Sequence, residues 1–273
     1  MSEAASPSPL EADPLVVRQM SDGVLRLTLN NPPANALSIA MMGALQVALN
    51  DARDDAAVRV VVIAAAGNVF SGGHDLKELT AHRDDDDRGR AFFESTMRMC
   101  TEIMMTITGM PKPVIAEIDG VATAAGCQLV ATCDLAICTD TSSFCTPGVN
   151  IGLFCSTPMV AVSRAAHRKQ AMEMLLTGEP VDASTAKEFG LVNRIVTKEY
   201  LRTVVDKYAS TIASKSALTL KIGKEAFYQQ IERPLTEAYD YTAWVMTENM
   251  LARDAEEGIN AFLEKRNPKW SDR

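Results

Sequence analysis

The chain has 273 residues, of which 47% are hydrophobic and 23% charged, so it can bury a substantial core in one or two domains. Its net charge of -8 excludes a general nucleic-acid-binding protein, which needs a basic face, but not an anionic small molecule held by a few local cations. No apolar run approaches the ~18 residues of a membrane span.

Residues 1–13 are small, polar and acidic, which predicts a disordered tail. They lack the arginines of a mitochondrial transit peptide and the apolar centre of a secretory signal, so we expect a cytoplasmic protein. Six cysteines form no C-x-x-C pair and there are only three histidines. This argues against a metal site and predicts reduced cysteines that serve as small core residues.

Residues 16–29 predict two short strands joined by a turn, and Ser38 is a suitable N-cap for the helix that follows. The β-branched run at 58–67 predicts a strand buried on both faces. Apolar residues at helical spacing in 90–107 predict a helix that faces the core.

The pattern then repeats, with a strand at 112–120, a turn of small residues into a helix, and a further strand at 135–140. Strands that alternate with helices predict an α/β fold with a covered parallel sheet. After about Val196 only helical patterns remain. We therefore predict a tail (1–13), an α/β core (14–197) and a C-terminal helical region (198–273).

Two corners of small residues each follow a strand and open a helix: the first corner, "FSGGH" (70–74), and the second corner, "ATAAGC" (122–127). Gly and Ala let a ligand approach the backbone, and the first turn of a helix leaves N–H groups without partners. If the corners face each other, two N–H donors can reach one oxygen and form an oxyanion hole. The alternative is that both are tight turns whose small residues serve packing alone.

The chain resembles the crotonase superfamily of enoyl-CoA hydratases and isomerases in six segments, which occur in family order: "LNNPPANALS", "FSGGHDLKE", "KPVIAEIDGVATAAGCQLVATCDLAI", "SSFCTPGVNIGL", "LLTGEPVDASTAKEFGLVNRIV" and "EGINAFLEKR". The resemblance implies a crotonase-like spiral of ββα units with a C-terminal helical appendage. It also implies that 14–197 binds acyl-CoA and that 198–273 mediates assembly into homotrimers or hexamers. No cofactor is implied beyond the coenzyme A of the substrate.

By the same resemblance, the backbone N–H groups of His74 and Ala125 donate to the thioester oxygen and stabilise an enolate. The other positions that the resemblance assigns to CoA binding are Gly73, Asp75, Leu76, Lys77 and Lys265. Ordinary hydratases also place two glutamates over the substrate, and this chain has Gln128 and Gly148 at those positions. Hydration needs groups that position water and exchange a proton, so ordinary hydration is not expected.

Other residues could supply acid–base or nucleophilic chemistry. The imidazole of His74 has a suitable intrinsic pKa of about 6.5, and Cys155 is a possible nucleophile. Asp75 is expected to cap a helix, and Glu117 and Asp119 to be structural or solvated.

Three hypotheses remain open. The chain is an acyl-CoA enzyme of fatty-acid metabolism with a reduced residue set (an isomerase, a slow hydratase or a thioesterase), a non-catalytic acyl-CoA-binding protein, or a serine hydrolase that uses Ser156. The last lacks a G-x-S-x-G elbow.

Overall fold

The computed structural model describes residues 13–273, which contain ten strands and eleven α-helices. The strands are β1 (Val16–Ser21), β2 (Val24–Leu29), β3 (Val60–Ala65), β4 (Val69–Ser71), β5 (Val114–Ile118), β6 (Val121–Thr123), β7 (Leu135–Thr139), β8 (Ser143–Cys145), β9 (Val181–Asp182) and β10 (Arg194–Val196). The helices are α1 (Ile39–Asp54), α2 (Leu76–Ala81), α3 (Arg90–Gly109), α4 (Ala125–Thr132), α5 (Ser156–Ala165), α6 (Arg168–Thr177), α7 (Ala183–Phe189), α8 (Lys198–Ala213), α9 (Ala217–Gln230), α10 (Leu235–Met250) and α11 (Arg253–Leu263), with a 3-10 helix at Pro147–Ile151. The predicted tail lies outside the described residues, apart from Asp13.

The larger of two sheets has six strands in the order β1-β2-β3-β5-β7-β10. β1 and β2 form the predicted antiparallel hairpin, and every later neighbour in the order is parallel. All residues of β3 except the last are buried, which confirms the prediction from its continuous β-branched sequence. The side chain of Ser38 accepts a hydrogen bond from the Met41 amide, so Ser38 caps α1 as predicted.

The smaller sheet has the order β4-β6-β8-β9. Each of β4, β6 and β8 follows a strand of the larger sheet after a short turn, and a helix comes next along the chain. These are ββα units wound as a spiral, which confirms the predicted fold class. The three strands have three residues each, so they carry too few positions for a period to be seen in the sequence.

Helices cover both faces of the larger sheet. On one face, the main core packs β-strand side chains against α1 and α3. On the other face, Leu201, Val205 and Ala209 of α8 pack against Val60 and Ile115. The first helix of the predicted C-terminal region therefore covers the sheet directly.

A buried polar cluster attaches α9 to the core. The ammonium group of Lys224 donates to the carbonyls of Ile107 and Lys112 and to Oδ2 of Asp134, at 2.7, 2.9 and 2.7 Å. The Tyr228 hydroxyl donates to the other oxygen of Asp134 at 2.9 Å. Burial lowers the pKa of Lys224, against the opposing effect of Asp134. Because every polar group here has a partner, the cluster holds α9 in one position.

Beyond this attachment, the C-terminal helices expose many large apolar side chains. Those more than half exposed are Phe227, Ile231, Leu235, Tyr239, Trp244, Met246, Leu251, Phe262 and Leu263. Among residues 13–273, no helix is both long and apolar enough to cross a membrane.

Candidate active site

The two corners lie side by side because β4 and β6 are parallel neighbours, with Ser71 opposite Ala122. Residues that leave these strands therefore emerge at the same edge of the smaller sheet. A Cβ placed on Gly73 would lie 2.9 Å from Cβ of Ala124 and 3.1 Å from the amide nitrogen of Ala125. The first corner is thus in van der Waals contact with the start of α4.

A second close contact fixes the distance between the corners. A Cβ on Gly126 would lie only 2.3 Å from the Ser71 carbonyl oxygen, so no larger residue fits there without backbone movement. The Ser71 hydroxyl donates to the Asn35 carbonyl at 2.9 Å. The buried amide group of Asn35 donates in turn to the carbonyls of Ala66 and Val69, at 2.8 and 2.7 Å. This network supports the first corner from beneath.

Sequence reasoning included Ser71 and Gly126 in the two corners without giving either a contact, and it gave Asn35 no role. The signal for Asn35 is its position after Pro-Pro-Ala in a loop. Its φ of 44° is in the left-handed region, which Asn tolerates better than most residues.

Backbone strain is concentrated at the second corner. Ala124 has φ 50° and ψ -119°, a conformation that favours glycine and costs an L-residue on the order of 1–3 kcal/mol. Its amide donates to the Cys145 carbonyl at 3.0 Å, and its carbonyl accepts from the Gln128 amide at 3.0 Å. These two hydrogen bonds hold Ala124 in its strained conformation. The next residue, Ala125, is the first of α4, where a backbone N–H has no partner within the helix.

Two amide donors are available at the corners. No hydrogen bond within residues 13–273 uses the backbone N–H of His74 or of Ala125. The Ala125 donor belongs to the first residue of α4, where the helix dipole adds positive potential. Free backbone donors on adjacent corners are one requirement of an oxyanion hole.

The imidazole of His74 is packed away from solvent. Neither ring nitrogen has a hydrogen-bond partner within residues 13–273, and both are buried. Burial lowers the ring's pKa, while the Leu37 carbonyl and the Glu78 carboxylate act in the opposite direction. The ring is therefore neutral at neutral pH.

The predicted site residues that follow the first corner, and Lys265, lie in different surroundings. Asp75 caps α2, accepting from the amides of Lys77 and Glu78 at 2.9 and 3.2 Å, as expected for a helix cap. Leu76 and Lys77 are exposed and line an open cleft of about 460 Å³ together with Thr80 and Ala81. Lys265 follows α11, and within residues 13–273 no hydrogen bond or ion pair joins it to either corner.

Gln128 points into the interior from α4 and is 4% exposed. Its Oε1 lies 3.9 Å from Sγ of Cys100 on α3. Burial raises the pKa of Cys100 to about 12, so this thiol stays protonated and is at most a weak donor. The position holds a neutral amide next to a neutral thiol.

Gly148 lies in the 3-10 helix and is buried. A Cβ there would lie 2.9 Å from Sγ of Cys155, 3.0 Å from the Leu153 carbonyl oxygen and 3.2 Å from the Cys155 amide nitrogen. Cys155 is 8% exposed, and burial raises the pKa of its thiol. A buried, protonated thiol is a poor nucleophile, so the geometry does not favour that role.

The remaining candidates are engaged elsewhere. Glu117 pairs with Arg26, and Asp119 pairs with Lys198 at 2.7 Å, so both carboxylates are structural as expected. Ser156 is exposed at the start of α5, and its hydroxyl donates to the Phe154 carbonyl at 3.3 Å. No group of three or more His, Cys, Asp or Glu side chains in the described part of the chain is placed to bind a metal.

Comparison with known proteins identifies the family. The family model described as enoyl-CoA hydratase/isomerase matches residues 19–273. The chain belongs to the enoyl-CoA hydratase/isomerase family. It is 46% identical over 267 residues to enoyl-CoA hydratase domain-containing protein 3, mitochondrial, of Xenopus laevis, covering 97% of this chain and 89% of the relative. Against the Homo sapiens protein of the same name it is 47% identical over 262 residues, covering 96% and 84%.

Solved structures agree. A crystal structure described as enoyl-CoA hydratase from Mycobacterium smegmatis superposes with a TM-score of 0.89 at 46% identity, covering 94% of this chain and 99% of that one. Human enoyl-CoA hydratase domain-containing protein 3 gives the same TM-score and identity, covering 94% and 100%. These matches confirm the predicted family and fold.

The expected cytoplasmic localisation is wrong by the same comparison. The matching vertebrate relatives carry "mitochondrial" in their names. The prediction depended on the composition of residues 1–13, which is a weak guide to compartment because short polar segments carry little targeting information of their own.

Proposed function

We propose that this chain binds an acyl-CoA thioester between the two corners, with the N–H groups of His74 and Ala125 donating to the thioester oxygen. The contact between the corners carries the proposal: a Cβ on Gly73 would lie 3.1 Å from the Ala125 nitrogen. This proximity makes it possible for donors from the two corners to reach one atom. The substrate class, an acyl-CoA thioester, is inferred from the names of the relatives.

The donors make the site suited to reactions at the α-carbon. When the α-carbon of a thioester loses a proton, negative charge moves to the carbonyl oxygen. Fixed amide donors stabilise that charge more than they stabilise the neutral ground state, and one such donor is typically worth about 10²–10³ in kcat. Reactions that pass through an enolate, such as isomerisation, are therefore the favoured class, with the neutral imidazole of His74 proposed as the acceptor of the α-proton.

For the coenzyme A portion, the exposed cleft beside Leu76 and Lys77 is the proposed path away from the thioester. The Lys77 ammonium group is exposed there and can contact a phosphate. Lys265 is proposed as a further phosphate contact from family resemblance. Coenzyme A enters as part of the substrate, and no other cofactor is proposed.

A second candidate function is acyl-CoA binding without turnover. It is favoured by the neutral groups at 128 and 148, because neither Gln128 nor Gly148 can exchange a proton. Incubation with a panel of enoyl-CoA thioesters, with product detection, separates the candidates. Turnover with rearranged or cleaved products supports an enzyme, whereas saturable binding without any product supports the second function.

The exposed apolar side chains on α10 and α11 support a third element of the proposal, self-association into a homotrimer or hexamer. Burying such residues between copies would remove a large apolar area from water. A sedimenting species of three or six chains at micromolar concentration is expected. A stable monomer would rule this element out.

The binding proposal is tested with a matched pair of variants. Gly73 and Gly67 have nearly the same left-handed φ, 82° and 83°, so replacement by Ala strains both backbones alike. At Gly67 the new Cβ would meet only Cβ of Pro32, at 3.6 Å, whereas at Gly73 it would press on the second corner. We expect Gly73→Ala to lose at least about tenfold in acyl-CoA affinity relative to Gly67→Ala, since it displaces an amide donor. Equal affinities in two folded variants would refute the assignment.

A further inference from the structure

We propose that Cys155 limits which reaction the site can host: its sulfur occupies the space into which a side chain at position 148 would extend, so a carboxylate cannot be held there. This inference rests on the proposed function. It adds that hydration is blocked by packing as well as by the missing glutamate.

The glycine at 148 is required by space and not by conformation. Its φ lies outside the left-handed region, unlike that of Gly152 four residues later. A side chain at position 148 is excluded because Leu153 and Cys155 pack against Gly148. Two of the three nearest atoms to a built Cβ belong to Cys155, with Sγ at 2.9 Å and N at 3.2 Å. Real Cβ atoms essentially never lie that close to a sulfur, so even alanine needs Cys155 to move.

The backbone holds the thiol in this place. The Leu153 amide donates to the Gly148 carbonyl at 2.9 Å, which closes the turn. The Cys155 carbonyl accepts from the Met159 amide at 2.8 Å as α5 begins. Because both ends are hydrogen-bonded, the backbone of Cys155 is fixed, and the sulfur can leave this place only by rotation about χ1.

The Cys155 thiol determines which chemistry is possible in the space beside Gly148. A protonated thiol is a weak hydrogen-bond donor and a weak acceptor, so it can neither orient water nor take up its proton. Gln128 is the other group at a glutamate position, and it is equally neutral. The substrates that fit are acyl-CoA thioesters whose reaction proceeds through an enolate without adding water across a double bond.

Crotonyl-CoA hydration tests this in a Gln128→Glu background. Gly148→Glu, Cys155→Ala and the two together are compared by following the loss of enoyl absorbance, with acyl-CoA affinity measured in parallel. We expect Gly148→Glu to add little alone, and to raise the rate at least about tenfold once Cys155→Ala removes the sulfur. Equal rates for Gly148→Glu with and without Cys155→Ala would overturn the inference.

A thermal cycle keeps the inference testable if the glutamate variants fail to fold. Gly148→Ala is expected to lower Tm by roughly 5 °C, because it overpacks the turn. In the Cys155→Ala background the same change should cost less than half as much, since only the two backbone atoms remain close. Cys145→Ala is the control thiol and should give no such relief. Additive Tm changes in the Gly148→Ala, Cys155→Ala double variant would overturn the inference.

The two proposals fail in different ways. If the wild-type chain binds no acyl-CoA, the proposed function is wrong, and the thermal cycle still decides whether Cys155 occupies the space at 148. If acyl-CoA binds but the cycle is additive, the site stands and the role of Cys155 is wrong.

Discussion

The proposed site consists of the two corners and the 147–155 segment, and these two parts are built differently. At Gly126, in the second corner, the nearest atom to an added Cβ belongs to the backbone: it is the Ser71 carbonyl oxygen of the first corner, at 2.3 Å. In the 147–155 segment, the nearest atom to an added Cβ is a side-chain sulfur, that of Cys155 at 2.9 Å. The donor geometry therefore depends on the fold, whereas the chemistry beside it depends on a few replaceable side chains.

This difference separates the residues on which the proposed binding depends from those on which a reaction would depend. Amide donors cannot be removed by exchanging side chains, so substitutions at the corners act through strain and packing. Groups that exchange protons are side chains, and single substitutions remove them. Gln128 and Gly148, which the resemblance assigns to glutamate positions, are proposed substitutions of the second kind.

The largest loss of stability is expected at Gly126, where the backbones of the two corners are in closest contact. Gly126→Ala forces the Ser71 carbonyl and α4 apart and should cost at least about 3 kcal/mol of unfolding free energy. Gly43, also in a helix, is the matched control, since its added Cβ would meet only Cε of Met99 at 3.9 Å. Gly43→Ala should be neutral or stabilising by up to about 1 kcal/mol. Urea unfolding measures both, and similar values for the two variants would break the comparison.

The next effect concerns the support beneath the first corner. The side-chain NH₂ group of Asn35 donates to the carbonyls of Ala66 and Val69. Asn35→Asp replaces that donor by an acceptor facing two carbonyls, and should cost about 2–3 kcal/mol with a loss of acyl-CoA affinity. Asn30→Asp is the control, because the side-chain NH₂ group of Asn30 donates only one hydrogen bond, which is exposed, to the Pro14 carbonyl at 3.2 Å. Unchanged affinity in folded Asn35→Asp would show that the corner does not need this network.

The sequence predicted those strands and helices whose hydrophobic residues recur at a regular spacing. The hairpin at 16–29, the buried strand β3 and the helices α1, α3 and α8 to α11 all show their patterns over six or more residues. β4, β6 and β8 have three residues each, and no pattern predicts them. The contact between the corners depends on the pairing of Ser71 with Ala122, which is a register between distant segments.

For the site, the resemblance located positions and the structure supplied contacts. Residue-by-residue matching indicates that Gln128 and Gly148 replace glutamates. It does not indicate that Cys155 fills the space at 148, because that depends on how residues 152–155 return over the 3-10 helix. Nor does it reveal that the ring nitrogens of His74 are buried.

An intermediate effect is expected at Gln128. Gln128→Glu places a carboxylate in the core beside the thiol of Cys100, with no cation among its side-chain contacts. A buried, unpaired charge is unfavourable, so the variant should lose roughly 1–3 kcal/mol of unfolding free energy at pH 7. Gln128→Met, which is similar in volume and uncharged, should lose less. A fully stable Gln128→Glu variant would show that water or a cation reaches this position.

The smallest effect is a pH dependence from His74. Burial lowers its folded-state pKa below the usual value of about 6.5, so the unfolded chain takes up a proton first as pH falls. Stability should therefore fall as pH drops below about 6.5, by at most ~1.4 kcal/mol per pH unit for this one group. The His74→Gln variant should lose that slope, and His167→Gln, at an exposed histidine, should keep it. Identical pH profiles for wild type and His74→Gln would show that the ring is accessible to solvent.

The central claim is that donors from both corners act on one thioester oxygen, and infrared difference spectroscopy tests it most directly. With an isotope-labelled thioester carbonyl, the bound acyl-CoA should show a carbonyl stretch at lower frequency than free acyl-CoA in water, because two fixed donors polarise the bond. The shift should shrink in Gly73→Ala and persist in Gly67→Ala. A saturated wild-type complex whose carbonyl stretch matches that of free acyl-CoA would contradict the claim.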